Sequence, residues 1–245
     1  MGGIPEGARP AVILRDSVLA IIPARKGSKR LENKNIRLFC GKPLINWTIE
    51  AALGSQLIDD IVVTSDHQDV LEIASDYGVA CRDRPKESSS DEASSFSVVE
   101  DVLKNQSQRH EVTVLLQPTS PLRTSAHIDQ SLKLMSNPNV DAVIGVTQVE
   151  YHPDVVGYLG DGNSMDQFGH PPSVGTMDET LIWHRINGAL YCCRTKLLLE
   201  QKTFLLPTNS IGYIMPRENS LDIDVELDFL IGEFLKRKNS SSGTK

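Results

Sequence analysis

The sequence contains no apolar run long enough to cross a membrane. Its apolar stretches are short, such as residues 18–22, whereas a membrane-spanning helix needs about 20 residues. The first 17 residues lack the apolar core of a signal peptide. The four cysteines form no C-x-x-C pair, which excludes a zinc framework and favours reduced thiols. We therefore expect a cytoplasmic protein that does not bind a membrane.

The sequence also has fewer basic than acidic residues. The 245-residue chain has 25 Lys and Arg against 32 Asp and Glu, which gives a formal net charge of −7. Nucleic-acid-binding proteins usually carry a basic face, so we expect no nucleic-acid partner. A polyanionic small molecule would need a local cationic pocket to bind against this net charge.

Short apolar runs alternate with helical patterns along most of the chain. The runs at residues 18–22, 61–64 and 112–116 are typical of strands buried on both faces. Strands that alternate with helices of about ten to fifteen residues indicate βαβ units. The pattern predicts an α/β fold with a mainly parallel sheet and helices on both faces.

The domain organisation follows from where this alternation holds. We expect a loose N-terminal extension at residues 1–17, one domain at 18–238 and a polar tail at 239–245. Between about residues 150 and 184 the alternation stops and His, Pro, Gly and Asp dominate. We predict a small β-rich insertion there, and we expect it to mediate dimerisation because it would be poorly covered alone.

Three unusual loops follow predicted strands, at residues 23–37, 82–97 and 117–123. In parallel sheets the ligand binds beyond the carboxyl ends of the strands. The pattern therefore predicts that the three loops open onto one crevice.

The first loop is strongly basic. It matches neither G-x-x-x-x-G-K-[ST] nor G-x-G-x-x-G. Gly27 allows a close backbone approach, and backbone N–H groups together with Lys and Arg can bind a triphosphate. The alternative is a solvated basic loop. Its five cations are Arg25, Lys26, Lys29, Arg30 and Lys34.

The other two loops are polar in different ways. Residues 84–95 carry hydroxyls and carboxylates, and by themselves they favour a flexible linker. Residues 117–123 place hydrogen-bonding side chains between two prolines, which stiffen a loop for a polar ligand. The alternative for this loop is an ordinary Pro-rich turn.

Near the end of the chain, Asp222 and Asp224 alternate with apolar residues. In an extended segment both carboxylates point to the same side. Paired carboxylates of this kind favour Mg²⁺ on a nucleotide phosphate. The alternative is helix capping, with Asp224 as the N-cap of the last helix and Glu226 in its first turn.

Five segments taken together resemble the acylneuraminate cytidylyltransferases, which include CMP-sialic acid synthetases and their bacterial relatives. The segments are IIPARKGSKRLENKN, RPKESSSDEASS, QPTSPLRT, INGALY and SLDIDVELDF, and the resemblance spans about residues 18–236. It implies a Rossmann-like, homodimeric nucleotidyltransferase that joins CTP and a nine-carbon 2-keto sugar acid into a CMP-sugar with release of pyrophosphate.

The resemblance also implies roles for individual residues. Residues of the triphosphate loop are Arg25, Ser28, Lys29, Lys34 and Asn35, and those that meet cytosine and ribose are Arg84, Ser90 and Asp91. The sugar side is lined by Gln117, Thr119, Ser120, Arg123, Asn187 and Gly188, and Asp222 and Asp224 bind Mg²⁺. Of these, we expect the residues that act directly in catalysis to be Arg25, Lys34, Asp222 and Asp224.

The chain departs from the family pattern at two places. Lys26 stands where the family loop commonly has Gly. A tandem Arg-Arg-Gln, in which one Arg binds the sugar carboxylate, is missing before Asn187. Either Arg185 or a cation from elsewhere binds this carboxylate, or the sugar acid differs. The alternatives to a nonulosonic acid are another acidic sugar such as KDO, or a non-catalytic nucleotide-binding module.

Overall fold

The computed structural model describes residues 16–27, 30–84, 95–151, 155–157, 159, 161–165 and 182–242. The strands within these residues are β1 (Val18–Pro23), β2 (Leu38–Phe39), β3 (Lys42–Pro43), β4 (Asp60–Ser65), β5 (Ala80–Asp83), β6 (Val112–Leu115), β7 (Ala142–Gln148), β8 (His184–Arg194) and β9 (Ser210–Ile214). The helices are α1 (Leu44–Leu53), α2 (Gln68–Asp76), α3 (Ser95–Lys104), α4 (Ser125–Leu134), α5 (Thr195–Gln201) and α6 (Glu226–Ser242).

Seven strands form one sheet in the order β5-β4-β1-β6-β8-β7-β9. Strand β8 runs antiparallel to both of its neighbours, whereas the other pairs of adjacent strands are parallel. A register shift between Ile144 and Val146 interrupts the pairing of β7 with β8. The prediction of a mainly parallel sheet is confirmed. Strand β8 is the exception, because the βαβ units that the sequence indicates would make every strand of the sheet parallel.

Helices cover both faces of this sheet. On β1, Ala20 and Ile22 pack into a core with residues of α1, α2 and α4. The alternate residues, Leu19 and Ile21, pack into a second core with residues of α3 and α5. Both sides of β1 are fully buried, at 0% exposure. Burial of a Leu or Ile side chain such as Leu19, Ile21 or Ile22 stabilises the fold by about 1.5–3 kcal/mol, which explains why β1 is so strongly apolar.

A third core lies beside the carboxyl ends of the strands. It joins Phe39 of the small β2–β3 ribbon to Leu44, Phe229 and the fully buried Ile223. This core fixes the chain between Asp222 and Asp224 against the body of the domain. The predicted alternation of acidic and apolar residues therefore holds at Ile223, whose side chain is buried between Asp222 and Asp224.

Two local expectations are corrected by the structure. The sequence suggests a cap at Ser65-Asp66, but the N-cap of α2 is His67, whose Nδ1 accepts the backbone N–H of Asp69. Ser65 is the last residue of β4, and its hydroxyl donates to Ala24 O and accepts the N–H of His67. Helix α6 continues to Ser242, so the helix enters the segment expected to be a polar tail.

The predicted insertion lies largely outside the described residues. Of residues 151–181, those described contain a 3₁₀ turn at Asp161–Asn163 and no strand. Its β-rich character and its contacts stay predictions. In the described part of the chain, no helix is long and apolar enough to span a membrane.

Candidate active site

The ends of three parallel strands are tied together where the loops emerge. Ala24, just after β1, donates its backbone N–H to Thr64 O at 2.9 Å. Arg84, just after β5, donates its backbone N–H to Ser65 O, also at 2.9 Å. The Ser65 hydroxyl donates to Ala24 O at 2.5 Å. The first and second loops therefore start side by side, as the sequence predicted.

The first loop begins in an exposed turn. Asn35 donates its side-chain amide to Arg25 O at 3.0 Å, and Lys26 N–H donates to Asp66 Oδ1 at 2.7 Å. A Cβ at Gly27 would have no atom within 4 Å, so the backbone there is open to a ligand. Ser28 and Lys29 lie outside the described residues. A contact of this loop with a triphosphate stays a prediction.

Lys34 connects this loop to the acidic segment. Its side chain is 9% exposed, and Nζ donates to Ile223 O at 2.5 Å and lies 3.3 Å from Asp224 Oδ1. The guanidinium of Arg30 lies 3.4 Å from Asp224 Oδ2. Two loop cations thus face the carboxylate of Asp224, and Lys34 also fixes the backbone that carries it.

Asp222 lies deeper than Asp224. Burial raises the pKa of Asp222, a side-chain hydrogen bond with Thr119 lowers it, and the negative charge of Asp224 raises it further. Its Oδ1 is buried and has no hydrogen-bond partner among the residues that the structure describes. A buried carboxylate oxygen of this kind favours a cation as its partner.

Gly188 brings the sugar-side residues to the same place. Its φ of +75° lies in the left-handed region that favours glycine. A Cβ there would lie 3.0 Å from Gln117 Oε1 and 3.5 Å from Asp222 Oδ2. Gln117 and Asp222 therefore converge on a surface that only glycine leaves open.

The capping interpretation of Asp224 is wrong. The carboxylate of Asp228 accepts the backbone N–H groups of Asp224 and Val225, each at 2.9 Å. Asp228 thus caps the start of α6, and the carboxylate of Asp224 faces Lys34 and Arg30 instead.

Arg123 does not line the sugar side, contrary to our expectation. It is 2% exposed, and its guanidinium donates to Ala189 O at 2.6 Å, to Thr48 Oγ1 at 2.7 Å and to Gln117 O at 3.2 Å. Burial lowers its pKa to about 9, so it stays charged at neutral pH. Arg123 holds the third loop against β8 in place of contacting a sugar.

Asn187 and Ser120 are buried as well. Asn187 donates to Ser220 Oγ at 3.0 Å and accepts the N–H of Ala189 at 3.0 Å. It therefore supports the segment that leads to Asp222 rather than pointing into the crevice. Ser120 is 0% exposed, which also removes it from direct contact with a sugar.

The remaining expected residues differ in placement. Arg84 is 6% exposed, donates to Thr64 O at 3.1 Å, and has a pKa lowered by burial. Arg185 lies 3.3 Å from Glu150, which Arg217 also contacts at 3.2 Å. Ser90 and Asp91 lie outside the described residues. The predicted contacts of Arg84 and Arg185 with substrate stay predictions.

The sequence analysis missed a cavity of about 240 Å³ near this site. It opens between the start of α3, strands β6 and β8, and the chain after α5. The only available signal was alternation on β8, where Tyr191 faces away from the buried Cys192. The lining residues are Phe96, Leu115, Tyr191, Lys202, Thr203, Phe204 and Leu205.

Comparison with known proteins identifies the family of the chain. Residues 19–157 match the family described as cytidylyltransferase. The chain is 36% identical over 228 residues to the N-acylneuraminate cytidylyltransferase of Escherichia coli O18:K1:H7, covering 93% of this chain and 54% of that protein. It is 34% identical over 229 residues to the pseudaminic acid cytidylyltransferase of Campylobacter jejuni, covering 91% of this chain and 98% of that protein.

A solved structure shares the fold. A CMP:2-keto-3-deoxy-manno-octonic acid synthetase in complex with CTP superposes with a TM-score of 0.69 at 16% identity, covering 91% of this chain and 99% of that one. The family match and the relatives together place the chain among the cytidylyltransferases. The chain belongs to the acylneuraminate cytidylyltransferase family, and it spans about half the length of the N-acylneuraminate cytidylyltransferases that it matches.

Proposed function

We propose that the protein transfers CMP from CTP to the anomeric 2-hydroxyl of a nonulosonic acid of the sialic, legionaminic or pseudaminic type and releases pyrophosphate. The observation that carries this proposal is the pair Asp222 and Asp224, with a buried carboxylate oxygen that lacks a partner among the described residues, beside two loop cations. The names of the relatives support the choice of CTP and of the sugar-acid class.

The residues present fit Mg²⁺. No group of three or more His, Cys, Asp or Glu side chains suited to a metal occurs in the described residues. Mg²⁺ is usually held by one or two carboxylates together with substrate phosphates and water, so Asp222 and Asp224 suffice. Bound there, Mg²⁺ would neutralise charge on the phosphates during transfer.

The chain's own residues supply the remaining chemistry. The 2-hydroxyl oxygen attacks the α-phosphorus in line, a new P–O bond forms, the bond from the α-phosphorus to the bridging oxygen breaks, pyrophosphate leaves, and the hydroxyl proton passes to solvent. Arg25 and Arg30 supply positive charge where the departing pyrophosphate gains negative charge. Lys34 positions Asp224 through Ile223 O and adds its own charge to this region.

The sugar acid would lie on the β8 side of the aspartates. Gln117 offers an amide at the surface that Gly188 leaves open. The cavity on β8, whose Tyr191 feels the charge of Asp222, is lined by apolar side chains and by Tyr191, Lys202 and Thr203. Such a mixture suits a sugar acid that carries both hydroxyl and acyl groups.

We also propose that the protein is a homodimer. Val146 pairs with Ile186 on one side and with Ile214 on the other, so these three side chains form one apolar row across the sheet. Ile186 is 43% exposed and Ile214 is 63% exposed in the single chain. Tyr151 and Ile182, at the two ends of the predicted insertion, are further exposed apolar side chains. A second copy that covers this row would bury these apolar groups.

Its expected location is the cytoplasm, where CTP is made. All four cysteines are free thiols, which is consistent with a reducing compartment. We propose no nucleic-acid or membrane partner.

The experiment that tests the function is a pyrophosphate-release assay with CTP, Mg²⁺ and separate sugar acids, followed by mass spectrometry of the product. We expect a CMP-sugar with at least one nonulosonic acid and none for the double variant Asp222→Asn/Asp224→Asn. Product only with KDO would reassign the substrate. Binding of CTP without any product would indicate a non-catalytic nucleotide-binding module.

A further inference from the structure

We propose that Asp66 is a positioning residue for the nucleotide, because it holds the backbone of the first loop in the conformation that receives the triphosphate of CTP. This inference rests on the proposed function, since it concerns the nucleotide that the reaction uses. Asp66 directly follows strand β4 and lies in none of the three loops that the sequence singles out. The sequence suggests only a helix cap there, and His67 takes that position instead.

One peptide group of the first loop is held at both ends. Lys26 donates its backbone N–H to Asp66 Oδ1 at 2.7 Å, and Arg25 O accepts the side-chain amide of Asn35 at 3.0 Å. The carbonyl of Arg25 and the N–H of Lys26 belong to the same planar peptide group. Asp66 and Asn35 together therefore fix the orientation of this peptide plane.

Asp66 is itself anchored to the sheet. The hydroxyl of its neighbour Ser65 donates to Ala24 O at 2.5 Å and accepts the N–H of His67 at 3.0 Å. Ala24 in turn donates its N–H to Thr64 O at 2.9 Å. A group on a rigid strand end holds a ligand-binding loop more precisely than a group on the loop itself.

The held peptide leads directly into the open part of the loop. A Cβ at Gly27 would have no atom within 4 Å, so a ligand can approach the backbone there. Backbone N–H groups together with Lys and Arg side chains bind phosphate groups. A loop whose backbone is already fixed loses less conformational freedom when the triphosphate binds, and this raises the affinity.

The charge of Asp66 does not by itself favour CTP. Burial lowers the pKa of Arg84, and the negative charge of Asp66 raises it, so this carboxylate lies near the start of the second loop as well. A negative charge in the crevice repels a triphosphate. The contribution of Asp66 to CTP binding is therefore its hydrogen bond to Lys26 N–H, which a neutral side-chain amide can also make.

Steady-state kinetics with CTP and the preferred sugar acid test this role. Asp66→Ala should raise KM for CTP by about 10- to 100-fold, the effect of losing one hydrogen bond to a charged group, and leave KM for the sugar acid within about twofold. Asp66→Asn keeps an oxygen that accepts Lys26 N–H, so its KM for CTP should stay within about threefold of wild type.

The matched control is Asp69→Ala, three residues further along the chain. The side chain of Asp69 is 63% exposed, and its backbone N–H keeps the hydrogen bond to His67 in the variant. We expect wild-type KM values for both substrates. This control removes a nearby negative charge without touching the first loop.

Calorimetric titration with inorganic tripolyphosphate and with cytidine separates the loop from the base site. Asp66→Ala should bind tripolyphosphate more weakly than wild type by the same factor as CTP, and it should bind cytidine as wild type does. A purely structural role of Asp66 between β4 and α2 predicts a lower unfolding temperature without this selective loss. Thermal unfolding of each variant is therefore measured beside the titrations.

Three results would overturn the inference alone: an active wild type with unchanged KM for CTP in Asp66→Ala, an Asp66→Asn variant as impaired as Asp66→Ala, or an equal loss of tripolyphosphate and cytidine affinity. A wild-type protein that forms no CMP-sugar with any acid would overturn the proposed function. The tripolyphosphate titration needs no product formation, so the two failures are distinguishable.

Discussion

The carboxylate of Asp228 accepts the backbone N–H of Asp224 at 2.9 Å. This contact assigns the cap of α6 to Asp228, and the carboxylate of Asp224 lies instead 3.3 Å from Lys34 Nζ. Two acidic residues four positions apart therefore have different tasks. One stabilises a helix, and the other offers its oxygens to the crevice.

Asp222 should make the protein less stable in the absence of a metal. Its carboxylate is desolvated and lies near the like charge of Asp224, and both effects raise its pKa. We expect Asp222→Asn to unfold a few degrees higher than wild type at neutral pH in EDTA, an effect on the order of 1 kcal/mol. CMP transfer by this variant should be lost.

Differential scanning calorimetry with and without Mg²⁺ and CTP measures this effect. An Asp222→Asn protein that unfolds at a lower temperature than wild type in EDTA would show that this carboxylate stabilises the fold.

The basic loop should divide into functional and dispensable cations. Arg25→Ala and Lys34→Ala should each lower kcat/KM by about 10²-fold, since each removes a charge worth roughly 1.5–3 kcal/mol on a phosphate. Lys34→Ala should also lower the unfolding temperature, because its buried Nζ holds Ile223 O. Arg25 is exposed, so Arg25→Ala should unfold like wild type.

Lys26→Gly is the control for this series. Its side chain is exposed, and its backbone N–H keeps the hydrogen bond to Asp66 in the variant. We expect an activity close to wild type. If Lys26→Gly is the most damaging of the three, the assignment of this loop is wrong.

Much of the fold could be predicted from the sequence, because burial dominates it. The apolar run at residues 18–22 lies in β1 and is buried on both faces, which a continuous apolar run in the sequence already indicates. The antiparallel direction of β8 was not predictable, because it depends on how the chain returns after residue 181. The cap of α2 was missed because β4 continues to Ser65 and the helix begins only at Gln68, so His67 takes the cap position.

The site was predicted less completely, because contacts between segments that are distant in the sequence decide which polar side chains face the crevice. Polar residue types drew attention to Gln117, Asp222 and Asp224, which the structure brings together around Gly188. Arg123 looked equally polar in the sequence. Its burial among the oxygens of Thr48, Gln117 and Ala189 depends on three separate segments, which no local pattern reveals.

Nucleotide choice should be narrow. We expect CTP to be preferred over UTP, ATP and GTP by at least 10²-fold in kcat/KM, because a site that hydrogen-bonds one exocyclic group leaves buried groups unpaired with the wrong base. Competition assays with all four nucleotides and a saturating sugar acid measure this preference. A kcat/KM for UTP comparable to that for CTP would count against the proposed nucleotide.

The apolar row should control the oligomeric state. Placing a charge there, as in Ile186→Asp/Ile214→Asp, should convert a dimer into a monomer, because a buried unpaired carboxylate is costly. Leu53→Asp, at the end of α1 and 47% exposed, serves as the control and should remain dimeric.

Sedimentation velocity at micromolar concentration reads the oligomeric state directly. A wild-type protein that is monomeric and fully active would contradict the proposed homodimer.

The most direct test of the central claim is the rate of CMP-sugar formation by Asp224→Asn over a Mg²⁺ titration, measured beside its thermal unfolding. The account predicts a protein that unfolds like wild type, because Asp228 supplies the cap, but reacts about 10²- to 10⁴-fold more slowly, since several kcal/mol of charge stabilisation is lost. Asp228→Ala should show the reverse pattern, with a loss of about 1 kcal/mol of stability and a nearly normal Mg²⁺ dependence. A folded Asp224→Asn protein with wild-type rate and wild-type Mg²⁺ dependence would contradict the account.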